Sequence, residues 1–305
     1  MLVKVKGWIL YKNSTADLKT KSYEIKSLLK VAPDLDIDIK LINPIDIDLI
    51  ITSEDNKSIL YKNKVQPLPD FVISRFGAST TYFTLSLLRH LERLNVCIFN
   101  SANSIEVVKD KLHTQQVLAN YNLPVPQTML VKYPVNSSLV ERVFGFPLVV
   151  KTISGTQGNG VYLCTDKNNF EDLIQFINST DTKTNIILQK YIKTSHGKDL
   201  RVFVIGGRVV ACIQRKAKND GFKANFSRGG EVVQYEITPE IEWIATETAK
   251  ILNLDIAGID LLFNDDHFLI CEANSSPGFK GIEKCCDISI AEEIYKYAKL
   301  RLCKL

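Results

Sequence analysis

Apolar and polar positions alternate along the chain in blocks that read as strands and helices in turn. Trp8-Ile9-Leu10-Tyr11 is a compact apolar run that predicts a strand. Between Thr20 and Leu29 the apolar Ile25, Leu28 and Leu29 return at the spacing of one helix face. The turn-forming Pro67-Leu68-Pro69-Asp70 leads into Phe71-Val72-Ile73, a second strand, and helical spacing resumes from Thr81 to Leu94. Strands separated by helices predict a parallel α/β sheet, and we take residues 1–98 as an N-terminal α/β unit.

A second unit, residues 99–188, carries a helix predicted over Ile105 to Tyr121. Leu123-Pro124-Val125-Pro126 forbids its continuation, since proline lacks the N–H a helix needs and constrains the residue before it. Phe144-Gly145-Phe146-Pro147 is a turn into the buried strand Leu148-Val149-Val150-Lys151, and Val161 to Cys164 forms another. The third unit, residues 189–305, is strand-rich and is entered through Ile187-Leu188-Gln189. Strands are expected at Leu200 to Ile205, Val209 to Ile213, Gly258 to Phe263 and Phe268 to Ala273. No internal repeat or low-complexity segment interrupts this order.

Composition narrows the class. Of 305 residues, 45% are hydrophobic and 24% charged, as in ordinary globular proteins. No run of about 18 apolar residues predicts a membrane span. The N-terminal MLVKVKGWILYKNS lacks the apolar stretch and cleavage site of a secretory signal, so a cytoplasmic protein without a membrane partner is expected. Seven cysteines without a CxxC pair argue against a disulfide framework or a zinc site and for buried free thiols. A net charge of +4, spread through the chain, does not by itself call for nucleic acid.

The strongest chemical pattern lies near the C-terminus. Gly258-Ile259-Asp260-Leu261-Leu262-Phe263, a polar turn Asn264 to His267, and Phe268-Leu269-Ile270-Cys271-Glu272-Ala273-Asn274 predict an antiparallel hairpin with acids inside apolar strands. Glu272 and Asn274 are two apart and share a face. If Asp260 pairs opposite Glu272, three oxygen-bearing side chains converge on a site suited to a hard cation such as Mg²⁺ with bound phosphate. That pairing needs an odd-numbered loop, or an even-numbered turn with a bulge. The bland alternative, ordinary strand-end polar residues, must explain why such groups sit in an apolar hairpin where burial is costly.

Other signals are weaker alone. Gly155-Thr156-Gln157-Gly158-Asn159-Gly160 can approach phosphate closely, although taken alone a plain hairpin turn explains it better; it is neither a P-loop nor a Rossmann turn. Lys151 ends an apolar run and can set its ammonium on a phosphate while its stem stays packed. Lys111 lies in the helical Val108-Lys109-Asp110-Lys111-Leu112, where a solvated surface charge is the other reading. The cation-dense segment Gln214 to Gly230, with Phe222 and Phe226, reads either as a nucleic-acid patch or as an anion-binding loop with Arg215 and Asn225 as donors. The acidic hairpin favours the second, so no direct nucleic-acid binding is expected. The four histidines are dispersed, and no Ser/His/Asp or Cys/His arrangement is visible.

Taken in order, these motifs resemble the ATP-grasp superfamily, and within it the RimK-type ligases. The resemblance runs from about Pro69 onward through Ser74-Arg75-Phe76-Gly77, Lys109-Asp110-Lys111-Leu112, Gln189-Lys190-Tyr191-Ile192-Lys193 and Gly197-Lys198-Asp199-Leu200-Arg201. It continues through Arg215-Lys216-Ala217-Lys218, Ser227-Arg228-Gly229-Gly230 and Glu272-Ala273-Asn274-Ser275-Ser276-Pro277-Gly278. It implies an ATP-grasp fold, in which an N-terminal parallel α/β domain is followed by two α+β subdomains that enclose ATP. It also implies ATP-dependent, ADP-forming amide formation through an acyl-phosphate, joining an amino acid, glutamate first, to a carboxylate acceptor such as a protein or peptide C-terminus. A homo-oligomer is expected.

By position, the resemblance puts Asp260, Glu272 and Asn274 on ligands for Mg²⁺ or Mn²⁺, with two ions expected, and Lys111 and Lys151 on nucleotide phosphates. Gln189, Lys190, Tyr191 and Ile192 fall on the adenine hinge and Asp199 on the ribose contact, with Arg201, Lys223 and Asn225 also in the nucleotide site. Arg215, with Asn225 and Lys151, takes catalytic positions; Arg75, Arg215, Arg228 and Ser276 fall toward substrate. Lys190 stands where the bacterial ligases commonly carry Glu. That residue and Ser195-His196-Gly197-Lys198-Asp199 resemble the animal branch that makes N-acetylaspartylglutamate, whereas Gly278-Phe279-Lys280-Gly281-Ile282-Glu283-Lys284 resembles the bacterial branch. A dipeptide synthetase and a non-catalytic nucleotide-binding regulatory module are the alternatives.

Overall fold

The computed structural model describes residues 4–12, 22–53, 58–153, 160–180, 185–218, 221–222, 224 and 230–303. The chain begins with β1 (Val5–Leu10), α1 (Tyr23–Val31) and β2 (Ile37–Ile42). A small antiparallel sheet follows, of β3 (Ile47–Leu49), β4 (Ile59–Tyr61) and β5 (Lys64–Val65), and then β6 (Phe71–Ser74), α2 (Tyr82–Arg93) and β7 (Cys97–Phe99). Strands β2-β1-β6-β7 pair in parallel in that order, as the alternation predicts. Helix α2 starts where its sequence provides a reciprocal cap: the Thr81 hydroxyl accepts from Thr84 N–H, and the Thr84 hydroxyl accepts from Thr81 N–H. The Thr20 end of the first predicted helix lies outside the described residues.

The helix predicted over Ile105 to Tyr121 is in fact two, α3 (Ala102–Lys109) and α4 (Lys111–Asn120). Asp110 breaks it. Its backbone is extended, and its carboxylate accepts from the N–H groups of Leu112 and His113, an N-cap that the helical periodicity hides. Lys111 thus opens a helix instead of riding mid-helix.

A second sheet, in order β10-β9-β11-β8, is built from β8 (Thr128–Leu130), β9 (Leu148–Thr152), β10 (Val161–Cys164) and β11 (Ile186–Lys190). Helices α5 (Ser137–Phe144) and α6 (Lys167–Thr180) bury Val140 and Phe170 against Leu148, Val150, Ile186 and Leu188. The third sheet is antiparallel, in order β14-β13-β12-β15-β16: β12 (Lys198–Ile205), β13 (Arg208–Lys216), β14 (Glu231–Gln234), β15 (Ile256–Asn264) and β16 (His267–Asn274). Between β14 and β15 runs α7 (Pro239–Ile251), with Pro239 in its first turn, where no N–H is required. Its Ile241, Ile244 and Ala245 pack on Val202, Val204 and Ile259.

The last two helices, α8 (Lys280–Cys285) and α9 (Ile290–Leu302), return to the first sheet. One continuous core joins Ile9, Ile25 and Phe71 to Phe203, Ile256, Phe279 and Tyr295, and the Tyr295 hydroxyl donates to Leu28 O at 3.0 Å. Burying each large side chain here is worth about 1.5–3 kcal/mol, so this core holds the N-terminal sheet firmly against the third one. No helix among the described residues is long and apolar enough to cross a membrane.

Candidate active site

A cleft of about 1660 Å³ runs between the second and third sheets and reaches α1 and α8. Lys111, Lys151, Gln189, Tyr191, Asp199 and Arg201 line it, as do Arg215, Asp260, Glu272, Asn274 and Ser276. These expected residues, drawn from seven separate stretches of sequence, therefore share one space.

The hairpin resolves its own register problem. Asn264 pairs with His267 around the two-residue turn Asp265-Asp266, an even count that alone would turn Asp260 away from Glu272. A bulge corrects it. Leu261 pairs with Ile270 but Asp260 pairs with Glu272, so Cys271 is the extra residue. Successive carbonyls of a regular strand point to opposite sides. Here the Gln115 side-chain amide of α4 donates to both Ile270 O (3.3 Å) and Cys271 O (3.4 Å), as a bulge allows. Asn274 lies opposite Gly258, whose carbonyl accepts its Nδ2 at 3.3 Å. Gly258 must be glycine: a Cβ there would stand 2.6 Å from Pro277 Cβ and 3.2 Å from the Arg201 side chain.

The charges form a chain. Arg215 makes a bidentate pair with Asp199 (2.6 and 2.7 Å) and reaches Asp260 Oδ2 at 2.9 Å. Arg201 clamps Asp260 from the other side through Nε and, at 2.8 Å, through Nη2. Burial alone would raise the Asp260 carboxyl, but the two guanidiniums outweigh it and hold the group below the usual carboxylate range. Glu272 goes the other way. Burial and repulsion from Asp260 raise it, while Lys111, Lys151 and Arg201 only partly offset them. Burial likewise lowers Lys111 despite the nearby Glu272.

Lys151 is buried and donates to Gln189 Oε1 at 2.5 Å, with Cys271 Sγ at 3.5 Å; Gln189 Nε2 in turn donates to Thr128 Oγ1. Gln189 therefore anchors the lysine. At the adjoining hinge the Lys190 side chain is exposed while its N–H donates to Gln127 O, and Ile192 is buried. The Tyr191 hydroxyl lies 2.6 Å from His196 Nδ1, and Phe222 sits at a tilt to both rings, with centroids 6.1 and 6.4 Å away.

Among the described residues no three His, Cys, Asp or Glu side chains are arranged to hold a cation by themselves. The hairpin offers two carboxylates and an amide oxygen, all hard oxygen donors, which fits Mg²⁺ bound jointly with phosphate better than a self-contained protein cage.

Arg75 is not among the cleft-lining residues; its guanidinium donates to Pro277 O at 3.0 Å and lies over the Phe279 ring. It braces the Ser275-to-Gly278 loop that follows Asn274. Arg89 pairs with Glu106 at the surface. The candidates Lys223, Asn225 and Arg228, and residues 155–159 of the glycine-rich loop, lie outside the described residues. Two contributors carry no motif in the sequence. Gln115 grips the bulge, and the buried Asn100 donates to Ile256 O (2.7 Å) and Ser275 O (2.8 Å) while accepting from Ile256 N–H. Their only signal is a polar residue at a position the apolar pattern would bury.

A family model described as a RimK-like ATP-grasp domain matches residues 108–298, and one described as a RimK PreATP-grasp domain matches residues 17–105. A probable alpha-L-glutamate ligase of Legionella pneumophila is 37% identical over 279 residues, covering 90% of this chain and 91% of that protein. One of Methanococcoides burtonii is 38% identical over 278 residues, 91% of each. The fold is similar to that of the ATP-grasp ligase PsnB complexed with a minimal precursor, with a TM-score of 0.76 at 16% identity, covering 98% and 99% of the two chains. It is also similar to D-alanine–D-alanine ligase from Bacillus anthracis, with a TM-score of 0.67 at 16% identity and the same coverage. At such identities these two likenesses concern the fold alone.

Proposed function

The chain belongs to the RimK-like ATP-grasp family and is an ATP-dependent carboxylate–amine ligase, and from that premise we propose that it joins glutamate through its amino group to the carboxylate of a protein or peptide C-terminus by way of an acyl-phosphate. The observation that carries this reading is the cross-strand alignment of Asp260 and Glu272, with Asn274 on the same face, in one cleft with Lys111 and Lys151.

A carboxylate does not react with an amine until one oxygen becomes a leaving group. An acceptor oxygen attacks the γ-phosphorus of ATP, the bond to the β-phosphate oxygen breaks, and ADP leaves. The amine nitrogen then attacks the acyl carbon, phosphate departs with that oxygen, and the nitrogen loses a proton. Phosphoryl transfer of this kind rests on positioning and charge rather than on a protein nucleophile. Lys151, fixed by Gln189, and Lys111, at the start of α4, orient phosphate oxygens. Arg215, held by Asp199, is a cationic donor for the oxyanion that forms when the amine attacks. Ile192 is buried next to the exposed Lys190 side chain, which suits an adenine edge read by main chain and makes the side chain at residue 190 dispensable for ATP.

Mg²⁺ or Mn²⁺, as one ion or two, would be held by Asp260, Glu272 and Asn274 and would offset phosphate charge during transfer. The name of the Legionella relative supports glutamate. The test is mass spectrometry of products formed with ATP, Mg²⁺, an amino-acid panel and carboxyl-terminal peptides. A mass increase of one glutamate residue on the peptide is expected. Amide formation with a different amino acid, or only on small N-acyl acids, overturns the substrate assignment.

A further inference from the structure

A second, much smaller pocket adjoins the main cleft and shares Lys111, Lys151, Cys271 and Glu272 with it. Its other walls are the apolar Val108, Ile187 and Ala273 and, from α4, Thr114 and Gln115. The free space is about 10 Å³, the room of a single water molecule.

Gln115 uses only one end of its amide. Nε2 donates to Ile270 O and Cys271 O, which engages both of its hydrogens. Oε1 is buried and has no hydrogen-bond partner among the described residues. A buried amide oxygen without a donor is costly. Its neighbours in the pocket are turned elsewhere: the Thr114 hydroxyl donates to Val107 O (3.1 Å) and Asp110 O (2.9 Å), and the Lys151 ammonium to Gln189 and Cys271.

We propose that this pocket binds one ordered water and that Gln115, acting through it, is a positioning residue for Glu272 and Lys111. The water donates one hydrogen to Gln115 Oε1 and the other to the Glu272 carboxylate, and it accepts from the Lys111 ammonium. A molecule with two donors and free lone pairs thus matches an amide oxygen, a carboxylate and an ammonium at once. The role in turnover rests on the ligase reading, in which Glu272 holds Mg²⁺ and Lys111 orients phosphate; the water site itself does not. A carboxylate bonded on one oxygen leaves the other for the cation in a fixed orientation. Loss of such support behind a metal ligand typically costs about 10–100-fold in metal affinity or activity. Gln115 therefore serves the site twice, since Nε2 grips the bulged backbone beside Glu272 and Oε1, through the water, steadies the Glu272 side chain.

The first measurement is a crystal structure of the full chain without nucleotide, at a resolution that shows ordered water. Electron density for one water bonded to Gln115 Oε1 and Glu272 is expected in the parent, and its loss in Gln115→Met. A parent pocket that is empty, or filled by a side chain, overturns the water site whether or not the variant folds. The second measurement follows ADP release with ATP, glutamate and a carboxyl-terminal peptide against Mg²⁺ concentration. Gln115→Met should raise the Mg²⁺ needed for half-maximal turnover by about tenfold or more, while calorimetry shows ATP affinity without metal within twofold of the parent. An unchanged Mg²⁺ requirement, or ATP affinity lost in step with melting temperature, makes the role of Gln115 structural and overturns the positioning assignment. A parent that forms no amide with any amino acid refutes the ligase reading instead. The electron density and the Mg²⁺ dependence of ATP binding then still decide the water and Gln115.

Discussion

Asp260 and Glu272 face each other across the β15–β16 hairpin because Cys271 is bulged out of the ladder between them. Without the bulge, the two-residue turn would set Cys271 opposite Asp260 and turn Glu272 to the other face of the sheet. Asp260→Asn with Glu272→Gln should therefore remove the paired carboxylates while keeping the ladder and its bulge. The expected outcome is loss of Mg²⁺-dependent ATP turnover by at least about a hundredfold, with ATP affinity in the absence of metal largely kept. Calorimetry of ATP binding alongside a coupled ADP assay distinguishes the two effects.

Glu272 is held above its ordinary value of 4.5 by burial and by Asp260. The folded chain thus binds this proton more tightly than the unfolded chain. The associated stability is complete below about pH 4.5 and is lost as pH rises through the folded value. Glu272→Gln keeps the shape and removes the ionisation. Without nucleotide or metal, E272Q should melt about 2–4 °C above the parent at pH 7, a difference on the order of 1 kcal/mol that narrows toward acid pH. Equal or lower melting at pH 7 contradicts this, and E272Q should be nearly inactive.

Arg215 binds Asp199 and Asp260 at once. Arg215→Met leaves Asp199 without its bidentate partner and should destabilise the fold by about 3–5 kcal/mol. Arg215→Lys should recover only part of that loss, since one ammonium cannot reproduce the planar fork. Urea unfolding of the three proteins gives the ranking, and recovery by lysine to parent stability would refute the bridging role.

Gln189→Leu removes the acceptor that anchors the Lys151 ammonium. An ATP KM raised about tenfold, with a smaller change in kcat, is the expected result, because an unanchored lysine binds phosphate with more entropy to lose. Unchanged ATP KM would mean that Lys151 is oriented by other groups.

Gly258→Ala forces a Cβ against Pro277 and Arg201. Overpacking of this kind costs about 1–3 kcal/mol. A variant of parental stability and activity would mean that the Pro277 loop moves freely.

What the sequence made legible follows from the range of each signal. The parallel sheet from Trp8 to Phe71 and the acids of the hairpin were readable because period-two patterning and an acid in an apolar strand are local features. The break at Asp110 was not, since the flanking segments keep helical spacing and a single capping carboxylate decides the outcome. The register of Asp260 depended on one bulged residue, and the pattern stated the condition without choosing between its solutions. Gln115, Asn100 and the bracing role of Arg75 depend on contacts between residues 155 to 202 positions apart, which no window along the chain contains. The strand β2, Ile37-Asp38-Ile39-Lys40-Leu41-Ile42, does carry period-two alternation, whereas β3, β4 and β5 are only two or three residues long, too short for a pattern to stand out.

The central claim is that an acceptor carboxylate is activated by phosphoryl transfer. It is tested most directly by labelling the acceptor carboxylate with ¹⁸O and analysing the phosphate released during amide formation with ATP and Mg²⁺. The account predicts one ¹⁸O atom in the phosphate for each amide formed. Amide formation with unlabelled phosphate would contradict it.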